Sequence, residues 1–398
     1  MSAPVAGPFA APLWASGFRP FLLLGFAHGA LVLPLWLGAY ALAAAPPFAA
    51  PLWHGHEMLF GFAAAIIAAV LLTAIPSWAI TDEIAGGRLA ALAALWLAGR
   101  LAMFASGALP QSVVAAADAA FLPALALLLA PTVLRARHKW FGAPLAIVLV
   151  LAGVNVAFHA ASAAGEAGAA AHALEAGLLL VMLLYALAGG VLIPVFTGGR
   201  LRESGRGDVT FNLPLDVLAV AAVGAFAIAE LSEASLVIRG VAAGVAAAAN
   251  VARLVRWQGW KVLDDPLLWS LQLGYAWLPA ALALRSAAAL GGPVPESAWM
   301  HAFTVGGLGV TMLGLATRMV SRHTGRPLVV PAVVAAAYLM MFGAGAARVA
   351  TAFSPGLAVL AASGVLWSAA LGVYLVRYGR WLVAPSLPRD PGASDALG

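Results

Sequence analysis

The six residues Trp53-His54-Gly55-His56-Glu57-Met58 put two imidazoles and a carboxylate side by side. Imidazole is the commonest nitrogen donor for copper, iron and zinc, and a neighbouring carboxylate can orient the ring or carry a proton. Residues two apart on a regular helix point about 200° apart. His54 and His56 therefore reach one centre only if His54 belongs to a non-helical approach, which Gly55 makes feasible. Glu57 reads either as a helix-start carboxylate satisfied by free N–H groups or as an orienting partner and proton carrier, the role that would make it catalytic.

Other polar residues extend this chemistry. Asn155 and His159 are four apart and share a helix face, so the amide sits one turn from a potential ligand. His301, Thr304, Leu308 and Met312 form one stripe, with Gly306, Gly307, Gly309 and Gly314 beside it. Those glycines either allow close helix packing or leave a flat space for a porphyrin. His172 and Glu175 share a face, and His28 stands alone in the first apolar run. Arg100 can pair with Asp118 across a short hairpin, as a structural ion pair, or hold a haem propionate. The chain has no cysteine, which excludes disulfides, iron–sulfur clusters, thiolate-bound haem and blue-copper sites. Any metal falls to histidine.

The elements that must position these groups follow from composition. Of 398 residues, 63% are hydrophobic and only 9% charged, with mean hydropathy +0.97. Soluble domains carry about a quarter charged residues, so soluble-enzyme classes are excluded. Apolar runs predict an all-α polytopic bundle, a single transmembrane domain over 17–382, with helices near 20–42, 54–80, 89–108, 112–134, 142–163, 170–196, 214–232, 235–256, 266–289, 298–320, 328–350 and 356–380. The runs are far longer than the roughly 10-residue alternating segments of a membrane β-barrel. Residues 1–16, with Pro4, Pro8 and Pro12 and no basic start, read as a short tail whose following helix is the targeting signal, and 383–398 as a second tail. No internal repeat stands out. The net charge of +5 comes from dispersed loop anchors for anionic lipid, not from a nucleic-acid surface.

Counting basic residues in alternate connections puts both termini in the cytoplasm. Seventeen of 21 Lys and Arg then lie inside, including Arg19, Arg200, Arg202, Arg206, Arg253, Arg318, Arg322 and Arg326, together with Lys139 and Arg389. Arg100, Arg239, Arg285 and Arg348 stay outside. Trp140, Trp257, Trp260 and Trp381 mark the inner boundary, and Trp53 and Trp299 the outer one. On this topology five of the eight histidines (His54, His56, His159, His172 and His301) share the outer level, His28 lies near mid-depth, and His138 and His323 fall in cytoplasmic loops.

The sequence also resembles a known family. Gly17-Phe18-Arg19-Pro20-Phe21, Trp53-His54-Gly55-His56-Glu57-Met58, Asn155-Val156-Ala157-Phe158-His159, Ile193-Pro194-Val195-Phe196-Thr197, His301-Ala302-Phe303-Thr304-Val305-Gly306 with Arg318, and His323-Thr324-Gly325-Arg326 are similar to the NnrS family over about 16–330. The resemblance implies a bacterial inner-membrane protein of about twelve helices with haem, expected as b-type, and copper, acting in nitric-oxide metabolism, denitrification and relief of nitrosative stress. It favours His54, His56, His159 and His301 as ligands, with Glu57 and Asn155 nearby. An Arg that the family often carries just before Ile-Pro-x-Phe-Thr is missing here, where Gly189-Gly190-Val191-Leu192 precedes Ile193; Arg200 and Arg202 are the replacements at hand. His323-Thr324-Gly325-Arg326 reads as a turn between helices.

The expectation is a membrane haem–copper oxidoreductase acting on nitric oxide, served by an electron donor the sequence does not identify. One alternative is a copper or haem transporter, with helices kinked at Pro34, Pro76, Pro123, Pro194 and Pro279; another is a non-catalytic gas sensor.

Overall fold

A computed structural model describes residue 7 and residues 9–42, 50–137 and 141–388. Pro4, Pro8, His138, Lys139, Trp140 and Arg389, used above, lie outside them. The described residues hold no strand. Twelve of their helices are long and apolar enough to cross a membrane: α1 (Phe18–Ala41), α2 (Pro51–Ala79), α3 (Gly86–Phe104), α4 (Gln111–Arg135), α5 (Gly142–Ala163), α6 (Ala167–Glu203), α7 (Leu213–Leu231), α8 (Leu236–Lys261), α9 (Pro266–Ala289), α10 (Ser297–His323), α11 (Ala332–Phe353) and α12 (Leu357–Val383). The protein is an all-α polytopic membrane bundle.

The chain forms two compact units, one of residues 1–178 and 375–386 and one of residues 179–374 and 387–398. In the first, α2 is the central helix. Its run from Leu59 to Leu72 is apolar on every face, the pattern of a helix surrounded by protein, and 78% of its most apolar window is buried, against 33% for α1. Gly25 of α1 lets Ile66 and Ala65 of α2 approach to within 3.0 Å of where a Cβ would stand. In the second unit α10 has the central place, its window also 78% buried. Its glycines are filled from neighbouring helices: Trp277 of α9 covers Gly306, Met341 and Trp367 crowd Gly309, and Ser270 crowds Gly314. This is close packing between small residues. The flat space imagined for a porphyrin is taken by an indole.

Both central helices contain a widened π turn, Glu57–Ala63 in α2 and Ala302–Gly309 in α10, each starting one residue after a histidine. Helix continues through Pro34, Pro76, Pro194 and Pro279. Of the five prolines expected to kink, Pro123 alone lies beside a break, where α4 divides into Gln111–Ala119 and Phe121–Arg135. Its ring removes an N–H and clashes with the carbonyl four residues back, that of Ala119. Helix α6 runs seven residues past its expected end at 196, to Glu203, because Ser204 Oγ accompanies the Arg200 carbonyl at 2.8 Å and Gly205 supplies the left-handed φ of +65° that ends it. Helix α11 starts at Ala332 and not 328, since Pro331 sits at its N-cap.

Of the tryptophans expected at the bilayer boundary, Trp53, Trp299 and Trp257 are buried within the protein. Trp53 Nε1 donates to the Met103 carbonyl at 3.2 Å. Arg19, counted as a loop anchor, is also buried. Its Nη1 donates to the carbonyls of Trp381, Leu382 and Ala384 at 3.1, 2.9 and 2.7 Å, and Nη2 to Ser386 Oγ at 2.8 Å. It thereby caps the carbonyls left open at the end of α12 and joins the start of α1 to it.

Replacing Arg19 with Met should lower the melting temperature in detergent, by the equivalent of about 2–4 kcal/mol, since buried carbonyls lose a charged donor. A melt unchanged from wild type would mean that water replaces the guanidinium at no cost.

Candidate metal centre

The first unit gathers the polar residues of five helices around Arg100 of α3. Arg100 Nη1 donates to Glu57 Oε1 of α2, and Nη2 pairs with Asp118 Oδ1 of α4. Glycines make this possible. A Cβ at Gly99 would stand 3.0 Å from the Asp118 Cα, and one at Gly61 would stand 2.6 Å from His28 Nε2 and 3.0 Å from Arg100 Nη1. The π turn presents Glu57 and leaves the Gly61 carbonyl to accept from Trp96 Nε1 at 3.1 Å. The Pro123 break follows directly after Asp118.

Asp118 Oδ2 is the meeting point. His159 Nε2 lies 2.8 Å from it and His56 Nε2 3.1 Å, while Asn155 Nδ2 donates to it at 2.8 Å. Asn155 Oδ1 faces His56 Nε2 at 3.0 Å, and His56 Nδ1 stands 3.3 Å from Glu57 Oε1. Phe158 stacks on the His56 ring at 4.7 Å and Phe60 tilts on it at 5.0 Å. His28 Nε2 lies 3.2 Å from Glu57 Oε2, its ring held edge-on by Trp96. All of these ionisable groups are buried or nearly so.

Two carboxylates against one guanidinium leave one net negative charge if the imidazoles are neutral. A buried net charge is costly, so the cluster calls for one further positive charge. His56 turns its two ring nitrogens to oxygen atoms of Glu57, Asn155 and Asp118. A metal ion at this place would supply that charge.

Ligand atoms of His56, Asp118 and His159 all lie within 4.8 Å of one another. An ion about 2 Å from each needs donors only about 3–4 Å apart. Two imidazoles and one carboxylate suit copper(II), zinc or iron(II) with open positions. The donor set fits a metal ion. It is not a porphyrin slot, since Phe60 and Phe158 pack on the His56 ring.

Of the histidines expected to act, His56 and His159 are together, joined by Asn155, and Arg100 forms its expected pair with Asp118. His54 is not beside them. Pro51–His56 is regular helix, so the condition for convergence is not met, and His54 stacks on Trp36 at 4.1 Å. His172 is exposed and His28 serves Glu57. In the second unit, His301 Nδ1 lies 2.9 Å from the Ser297 carbonyl, and its Nε2 is 2.9 Å from Arg348 Nη2. The carbonyl fixes the proton on Nδ1, so Nε2 carries the lone pair and Arg348 donates to it. His323 closes α10 in a turn in which Gly325 adopts φ +70° and Arg326 N donates to the Ser321 carbonyl at 2.9 Å. The turn expected there is present.

Sequence reasoning missed two things. It held Asp118 as partner to Arg100, not as the shared acceptor of two imidazoles and an amide. It also counted Arg253 as a loop residue. Arg253 is buried, donating to the Ala186 carbonyl at 2.8 Å, to Tyr275 Oη at 3.0 Å and to Asp216 at 2.8 Å. Its guanidinium lies directly on Gly190, in the glycine pair that precedes Ile193. Arg200 and Arg202 do not take that place: they pair at the exposed end of α6 with Asp264 at 3.4 Å and Asp208 at 2.5 Å.

A family model described as NnrS protein matches residues 12–386. No curated protein matches the chain.

Asp118→Asn preserves shape while removing the carboxylate. Copper or zinc affinity should fall at least 10-fold, in the range found when metal-site partners are lost, with the helical spectrum retained; metal content equal to wild type would remove Asp118 from the site. Arg348→Gln should unmask His301 Nε2, seen as a several-fold faster reaction of that ring with diethyl pyrocarbonate by peptide mass mapping. An unaltered rate would show that Arg348 does not shield it.

Proposed function

The chain belongs to the NnrS family, and on that premise we propose that it is a bacterial inner-membrane redox protein that binds and turns over nitric oxide at a copper ion held by His56, His159 and Asp118. The observation that carries the reading is the convergence of two buried imidazoles and a buried carboxylate within 4.8 Å in a chain with almost no polar groups to spare. When bound, copper supplies a one-electron couple and an open position for a small gas. Nitric oxide is uncharged and enters from lipid, so the site needs no polar channel.

The surrounding residues have separable tasks. Asn155 orients His56 through Oδ1 and Asp118 through Nδ2, holding both in one geometry. Arg100 pairs with both Glu57 and Asp118 and fixes the two carboxyl groups in place. Glu57 is the proposed catalytic residue: its Oε2 lies beside His28 Nε2 and can hold a proton required for reduction of the gas. Phe158 and Phe60 keep water off His56. The family resemblance also implies haem. The glycine face beside His301 is covered by Trp277, Met341 and Trp367, which does not fit a porphyrin there, and no step is assigned to it.

Copper-loaded protein should change its optical and paramagnetic spectra on addition of nitric oxide, and His56→Ala with His159→Ala should lose both copper and response. Loaded wild type that stays spectrally silent in either redox state would overturn the reading. Copper uptake into proteoliposomes by such silent protein would point to a transporter.

A further inference from the structure

A second feature lies in the second unit and uses none of the residues of the metal centre. Where α8 ends and α9 begins, a groove of about 570 Å³ is lined by Leu254, Trp260, Leu263, Trp269, Gln272 and Leu339, among others. None of its described lining residues is charged. Trp260 is 58% exposed, and Trp269 is half-buried against Tyr338. The loop beside the groove is held in place, since Arg206 grips Asp264 with two hydrogen bonds of 3.1 Å and donates to the Lys261 carbonyl at 2.7 Å. That hydrogen bonding holds the Asp264 carboxyl below its usual range.

One polar group breaks the apolar wall. Gln272 is only 8% exposed; its Nε2 donates to Thr197 Oγ1 at 3.0 Å, and its Oε1 has no hydrogen-bond partner. Gly259 makes room for this amide, because a Cβ there would stand 2.9 Å from it. A buried acceptor without a donor is unfavourable, and Gln272 carries the one side-chain amide among the groove's described lining residues. The possible occupants differ in what they offer. An acyl chain has no donor. A phosphate brings further acceptors and a charge. An ammonium headgroup would be stripped of water against indole and leucine with no counter-ion on the wall. A neutral hydroxyl on an aromatic ring satisfies the amide, and the ring packs against two indoles.

We propose that this groove binds a hydroquinone-class membrane lipid, its ring hydroxyl donating to Gln272 Oε1 and its ring lying against Trp260 and Trp269. Such a lipid is the class of electron donor that a redox protein confined to the bilayer can meet. The ligand's purpose rests on the redox reading above; its binding does not, and the test requires no metal.

The experiment uses the full chain, metal-free, in nanodiscs of phosphatidylethanolamine and phosphatidylglycerol, with an azido-ubiquinone reduced to its quinol and then photolysed. Peptide mass mapping should place label within residues 254–273, removed by excess unlabelled decylubiquinol. Gln272→Leu should weaken labelling at least 5-fold, and Leu339→Trp, which fills the groove without touching the amide, should abolish it. Label elsewhere, label removed equally by added phosphatidylethanolamine, or label indifferent to Leu339→Trp would each overturn the proposal. A protein that binds nitric oxide yet shows no quinol label would lose this inference and keep the function; labelled protein silent to nitric oxide would do the reverse.

Discussion

Everything in the first unit is arranged around a guanidinium with a carboxylate on either side. In a medium of low dielectric an unpaired charge is expensive, and two carboxylates near one another repel. Arg100 resolves both problems at once for Glu57 and Asp118, and in doing so fixes three helices in relation to one another. The local departures from regular helix serve this arrangement: the π turn beginning at Glu57, the break after Asp118, and the missing side chains at Gly61 and Gly99. The imidazoles then take positions around carboxylates that are already placed.

The bundle itself was legible in the sequence because apolar runs of this length have one solution in a bilayer. Helix ends were less so: the excess length of α6 depends on a serine and a glycine beyond the expected end at 196. Within the site, local spacing was informative where a regular helix carried it. Asn155 and His159 share a face as a four-residue spacing requires, and the short α3–α4 connection brings Arg100 to Asp118. His54 obeyed the same geometry. Two residues from His56 on a true helix, it points to Trp36.

What local pattern could not supply were partners distant in sequence. Nothing near Asp118 announces that it will accept from two imidazoles of different helices. Nothing near Gly306 announces Trp277, and the same glycines suited either a cofactor or a neighbouring helix. Arg253 illustrates the matter most plainly. Counting charges by side treated it as an anchor at the surface, whereas it lies across the backbone at Gly190 and holds Tyr275, Asp216 and a carbonyl of α6 together. In such a chain an arginine near a helix end can be structural cement, and basic-residue counts overstate what belongs to the lipid headgroups.

The widened turns of α2 and α10 have a separate bearing on how these helices tolerate change. A π turn holds one residue more than its hydrogen-bond ladder requires. Below it, the packing face of α2 follows one register; above it, His56 and Trp53 follow another, displaced by about 100° for the extra residue. The helix is in effect two rods joined out of phase. Substitutions in the apolar stretch that adjust how α2 seats against α1 need not rotate His56, and changes around His56 need not disturb that seat. The seam between them, seven residues from Glu57 to Ala63, is the one place along α2 where length, and not merely side-chain chemistry, sets which way the histidine faces.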